Sequence, residues 1–202
     1  LAGCGGEDDS TGATAAEDCP EVEAPAPKEL DLPGPKRDAP AASGVAFTTS
    51  CGDSTVSFDE RSPKTAASME YLAREGAYDD TVIHRVIAGK LVQGGDPLGS
   101  DPDLAGTGGP GYFIDEPPPR NLAYTQGVVA MAKTAADPIG RSGSQFFVVV
   151  QADAGLTPDY ALAGEVSDGF DVVERISRTG DPAADGPPLS PVVIESATPV
   201  GG

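Results

Sequence analysis

The chain has 202 residues, enough for one well-packed domain with an extra segment and too few for two. Its 32 acidic residues against 13 basic ones give a net charge of −19, a surface that repels phosphate backbones and speaks against nucleic-acid binding. No run approaches the roughly 20 consecutive apolar residues of a membrane-spanning helix, and 26 glycines with 20 prolines among short apolar runs favour an all-β fold with many turns.

Residues 1–43 hold ten acids, three bases, six prolines and no aromatic side chain. Such a segment cannot bury enough apolar surface to offset its ordering entropy. It reads as a tether, stiffened between Pro25 and Pro35, ahead of a domain spanning 44–202. Its first residues, Leu1-Ala2-Gly3-Cys4, resemble a bacterial lipobox, in which Cys4 is lipidated after a signal peptide is removed; a chance match is the alternative for so short a motif. On the lipobox reading the protein is an extracytoplasmic, membrane-anchored lipoprotein of a bacterium, touching the membrane only through the lipid on Cys4. Cys19 and Cys51 lack the paired short spacing of a zinc site and have no neighbouring His to activate them. With Cys4 lipidated, these two are expected to pair in an oxidising compartment; two free thiols are the alternative.

From Gly44 the pattern changes. Val45-Ala46-Phe47-Thr48-Thr49 and Thr55-Val56-Ser57-Phe58 flank the turn Cys51-Gly52-Asp53 and predict a β-hairpin. Ser62 as cap, Pro63 in the first turn and Gly76 past the end bound a helix whose Met69, Leu72 and Ala73 share one face. Strands are predicted over 81–87, 90–92, 128–132, 146–150, 160–166 and 192–196. A second helix is predicted over 170–178, stopped by Gly180, with Val172, Val173 and Ile176 inward. Many strands with one helix early and one late predict an all-β, closed antiparallel barrel capped at its ends.

Familiar catalytic constellations are missing. Gly-x-Ser-x-Gly does not occur, and one histidine cannot build a His-rich metal site. Gly106-Thr107-Gly108-Gly109-Pro110-Gly111 matches Gly-x-Gly-x-x-Gly in letters only. Pro110 stands where a phosphate-binding helix would open and no helical period follows, so the segment is a loop. Three other features stand out: Ile83-His84-Arg85-Val86-Ile87-Ala88-Gly89-Lys90-Leu91-Val92-Gln93-Gly94-Gly95-Asp96-Pro97; the glycine loop running on to Tyr112; and Val129-Ala130-Met131-Ala132 followed by Gly143-Ser144-Gln145-Phe146-Phe147.

In this order the segments resemble the cyclophilin family of peptidyl-prolyl isomerases, over roughly residues 45–198. The resemblance implies an eight-stranded barrel with two helices. It also implies cis/trans isomerisation of X–Pro bonds without cofactor or metal, proline-containing polypeptides as partners, and a monomer. Arg85 takes the family's catalytic position and Gln93 that of the Gln which orients the Arg. Leu91, Phe147 and Leu156 line the proline pocket with Tyr160 at its edge. The edge segment Ala132, Lys133 and Thr134 pairs with extended substrate, and Ile87, Gly106 and Gln145 take further groove positions. His84 is expected to hydrogen-bond structurally, because neighbours in a strand point to opposite faces; a substrate contact is the alternative. Lys90 replaces a usual pocket aromatic, Ile83 a Phe behind the site, and Gly155 a Trp of many eukaryotic members. These departures imply a weaker pocket and reduced cyclosporin affinity.

The chemistry agrees with that assignment. Rotation about a peptide bond faces a barrier of ~18–20 kcal/mol because the C–N bond is partly double, and uncatalysed X–Pro exchange takes tens to hundreds of seconds. Lowering it requires a donor aimed at the prolyl nitrogen as that atom pyramidalises, and a dry slot gripping the ring. A guanidinium is always charged and holds a rigid fork of donors, and such a contact strengthens only as the amide twists. A module that holds proline segments without turnover is the competing reading.

Overall fold

The computed structural model describes residues 18–201; Cys4 and its lipobox-like neighbours lie outside them. The first β-rich runs form a hairpin of β1 (Gly44–Thr49) and β2 (Gly52–Phe58), in which Gly52, at φ 125°, takes a conformation that side chains disfavour. Pro63 opens α1 (Pro63–Arg74) and Gly76, at φ 65°, follows its end. Then come β3 (Thr81–Val82), β4 (Arg85–Ile87), β5 (Leu91–Gly94), β6 (Ile114–Asp115), β7 (Val128–Met131), β8 (Arg141–Ser142), β9 (Phe146–Val149), β10 (Leu162–Asp168), α2 (Phe170–Ser177) and β11 (Val193–Val200). The two-residue strands β6 and β8 pair only with each other and are too short to leave a period in the sequence.

All other strands join one antiparallel sheet in the order β3-β11-β1-β2-β10-β7-β9-β5-β4. Its two edges, β3 and β4, are the halves of the single strand expected over 81–87, interrupted at Ile83–His84. The expected closed eight-stranded barrel is thus a curled sheet whose ladder breaks at this one strand. Backbone bonds from Ile83 to Val192 (2.9 Å) and from His84 to Gln93 (3.2 Å) tie the break to both neighbouring strands. Alternate residues fill the interior: Val45, Phe47, Val56, Val86, Val92, Val129 and Val148 meet Met69 and Leu72 of α1 and Val172, Val173 and Ile176 of α2. Phe47, Phe146 and Tyr78 pack with ring centroids 5.2–5.6 Å apart.

Ser62 occupies the cap position of α1 but caps nothing; its buried hydroxyl has no partner. The carboxylate of Glu116 does the capping from 51 residues away, accepting from the Thr65 amide and hydroxyl (both 2.7 Å) and from the Lys64 amide (3.2 Å). An anion at a helix N-terminus satisfies free amides and meets the positive end of the helix dipole. Glu116→Ala is therefore expected to lower stability by about 1–2 kcal/mol, and Ser62→Ala to cost much less, in paired chemical denaturations.

The acidic segment is not a free tether over its described part. Cys19 is disulfide-bonded to Cys51. The Lys28 amide donates to Pro97 O (2.9 Å), the Leu32 amide to Pro110 O (2.8 Å) and the Ala41 amide to Glu70 (2.7 Å). The Lys28 ammonium donates to the carbonyls of Gly76 and Asp79, and partial burial lowers its pKa. Lys28, Leu30, Leu32 and Gly34 turn inward, while Glu29, Asp31 and Pro33 stay exposed. That two-residue alternation stands in the sequence as Leu30-Asp31-Leu32, and low overall hydrophobicity masked it.

Candidate active site

Register builds the site. Across β4, β5, β9 and β7 the directly opposed residues are Arg85, Gln93, Phe147 and Ala130. Opposed residues of antiparallel strands project from the same face, so these four form one row. Two residues along, Ile87, Leu91 and Val149 form the next. The intervening Val86, Val92, Val148 and Val129 point into the barrel. Both rows therefore lie on its outer face, where a second apolar cluster gathers Phe147 and Val149 with Leu91, Ala132, Leu156 and Tyr160 packed against it.

Hydrogen bonds fix the polar end of the row. Arg85 Nη1 donates to Gln93 Oε1 (2.9 Å), which turns the Gln93 amide nitrogen toward Gln145 Oε1 (3.1 Å). Gln145 in turn donates to Gly108 O (2.9 Å) in the glycine loop. Donors and acceptors alternate without conflict along this relay. A residue that carries no sequence signal completes it. Asp185, on the loop after α2, accepts from Arg85 Nε (2.7 Å) and Nη2 (2.6 Å). That loop is held because the Val86 amide donates to the neighbouring Gly186 O (2.7 Å). The Arg85 guanidinium holds the Asp185 carboxyl below its ordinary pKa, and the carboxylate raises that of Arg85. A guanidinium has five N–H groups. Three are engaged, which fixes its plane and leaves one proton on each terminal nitrogen, at the end of the fork.

Beside the row, Phe147 and Tyr160 pack edge to face, centroids 5.3 Å apart. The Tyr124 hydroxyl secures Tyr160 by donating to its carbonyl (2.6 Å) and accepting from its amide (3.0 Å). Lys133 Nζ lies 5.7 Å over the Tyr160 ring. Gly106, Ala132, Lys133, Thr134 and Gln145 line a groove of about 650 Å³ that reaches Gln93. Ile87 stays one row away and is half-buried. Along the edge segment, the Ala132 amide already donates to Gln145 O (2.8 Å) and the Thr134 amide to Asp137 (2.9 Å). Pairing with an extended peptide there falls to the carbonyls and the Lys133 amide.

His84 lies behind the row. It is 5 % exposed, and its Nε2 is 3.3 Å from the Gln93 amide nitrogen. Because Gln93 must donate there, Nε2 accepts and the ring is neutral. Burial lowers its pKa from 6.5, against a smaller opposing pull from Asp96. A depressed folded pKa contributes stability that is present above the unfolded value and lost as pH falls through the folded one. Melting temperature is therefore expected to drop as pH falls below about 6.5, more steeply in the wild type than in His84→Gln.

With this geometry in place, the relatives are informative. The family described as cyclophilin type peptidyl-prolyl cis-trans isomerase/CLD matches residues 45–199. The chain belongs to the cyclophilin family. A peptidyl-prolyl cis-trans isomerase A of Mycobacterium tuberculosis is 39% identical over 181 residues, covering 80% of this chain and 94% of that one. A peptidyl-prolyl cis-trans isomerase B of Streptomyces anulatus is 48% identical over 122 residues, 59% of this chain, and the match spans 65% of that relative's length. Among solved structures, a Cryptosporidium parvum cyclophilin crystallised in the presence of the dipeptide Ala-Pro has a TM-score of 0.68 at 27% identity, covering 79% of this chain and 99% of that one.

Departures from the usual cyclophilin residues are also located. Ile83 is buried in the barrel interior, and Lys90 sits exposed in the turn between β4 and β5. Gly155 is exposed, and a Cβ there would meet nothing within 4 Å. Phe147, Leu91, Leu156 and Tyr160 lie together in the second apolar cluster.

Proposed function

We propose that this cyclophilin catalyses cis/trans isomerisation of X–Pro bonds in polypeptides outside the cytoplasmic membrane and so assists their folding. The in-register row Arg85–Gln93–Phe147 carries this reading. A proline ring held against Phe147 places its imide nitrogen beside the free end of the Arg85 fork. As the bond twists, conjugation is lost and the nitrogen lone pair localises, becoming an acceptor that the planar amide lacks. Donation from the fork then strengthens toward the transition state, the condition for lowering a barrier. No nucleophile and no proton transfer is needed. The relative crystallised with Ala-Pro supports a proline-containing peptide as ligand.

The extracytoplasmic assignment rests on the Cys19–Cys51 disulfide, which persists in oxidising compartments, and on the lipobox-like Leu1–Cys4. Mass spectrometry of the native N-terminus tests it; an unmodified Cys4 in the membrane fraction would remove the anchor. A protease-coupled assay on a short Ala-Pro peptide tests the activity. Peptide binding without any acceleration over the uncatalysed rate would instead identify a holding module.

A further inference from the structure

We propose that the N-terminal strap, residues 19–43, is a wall of the substrate groove, and that Leu30 selects an apolar side chain flanking the X–Pro pair. The strap lies outside residues 45–199, the part of the chain matched by the family, so this wall is not part of the family's matched domain. Leu30 stands on the inward side of the strap, midway between two anchors, the Lys28 amide on Pro97 O and the Leu32 amide on Pro110 O. It lines the groove of about 650 Å³ together with Phe113, Lys133 and the glycines 106, 108 and 109.

Three features make this part of the groove a side-chain subsite. It reaches Gln93 and Gln145, so it is continuous with the row that holds Arg85 and Phe147. Its glycine floor lets a peptide approach closely: at Gly106 and Gly109 an added Cβ would meet no atom within 4 Å. And Leu30 and Phe113, the latter 66 % exposed, offer apolar surface beside it. An apolar side chain seated there loses contact with water, worth ~25 cal/mol per Å². Because a substrate strand advances ~3.3 Å per residue, the selected position lies within a few residues of the proline.

The inference rests on the isomerase reading, and the experiment separates the two. Wild type, Leu30→Ala and Leu30→Glu, each checked for its melting temperature and intact disulfide, are assayed on X–Pro peptides. One flanking residue at a time, from three before to three after the proline, is Ala, Leu, Lys or Asp. The wild type is expected to favour Leu over Ala about 3- to 10-fold in kcat/KM at one position, through KM. In Leu30→Ala that preference falls to near unity. In Leu30→Glu the same position is expected to switch to Lys, a gain that a dislodged strap cannot produce. An unchanged profile in both variants overturns the proposal while leaving the isomerase standing. Absence of turnover on every peptide in the wild type overturns the isomerase reading itself.

Discussion

Arg85→Ala is expected to lower kcat/KM on an X–Pro peptide by about 10²- to 10³-fold, the cost of removing one donor that acts chiefly in a transition state. The fold should survive. Arg85 projects from the outer face of the sheet and its side chain is 39% exposed, so truncation opens no core cavity. Arg85→Lys should recover little, because one ammonium cannot meet Gln93 and Asp185 and still present a fixed fork to the substrate. Asp185→Ala tests the orientation separately. As an exposed ion pair it adds little to stability, yet losing its two bonds frees the guanidinium to rotate. It should reduce kcat roughly tenfold, about 1.4 kcal/mol, with KM nearly unchanged. In Arg85→Ala the same change should do nothing more, since residues acting through one group are not additive. Equal rates for wild type and Arg85→Ala would remove the catalytic assignment.

Loss of the Cys19–Cys51 cross-link is the largest stability effect expected. The pair is separated by 32 residues, and closing a loop of that length removes unfolded-chain entropy worth about 3–4 kcal/mol. For a chain of this size that corresponds to a melting temperature lower by roughly 10 °C. Cys19→Ala is the cleaner variant, because Cys19 is half-buried whereas Cys51 is 4 % exposed in the core. The cross-link also holds the start of the strap, so reduction should soften the Leu30 wall before it unfolds the barrel. Hydrogen exchange is expected to rise first at the Lys28 and Leu32 amides. A Cys19→Ala protein melting within 2 °C of the wild type would show that the strap is held by its own contacts instead.

The longer strands and both helices, and the order in which they follow, were legible in the chain itself, whereas the two-residue strands β6 and β8 and the break between β3 and β4 were not. A two-residue alternation makes a half-buried strand wherever it occurs, and Pro63 and Gly76 bound a helix because of their own backbone preferences. Arg85, Gln93 and Phe147 were singled out by the family resemblance of the ordered motifs that hold them, and strand register brings the three together. The strap was misread because average composition outweighed the local alternation of Leu30 and Leu32. Ser62 was misread as a working cap because cap preference describes a residue type and does not register a competing carboxylate brought in from elsewhere.

The sequence by itself thus determined the longer elements and their inward faces, since each depends on neighbours a few bonds apart, and its motifs singled out the candidate site residues through their family resemblance. Only the tertiary structure decided that Arg85, Gln93 and Phe147 stand in one row. It also decided that Asp185, a hundred residues on, grips the guanidinium, that Glu116 caps α1 and that Leu30 walls the groove. Those pairings depend on strand register and on the curl of the sheet, which arise when the whole chain packs one interior and leave no mark in the spacing of any single segment.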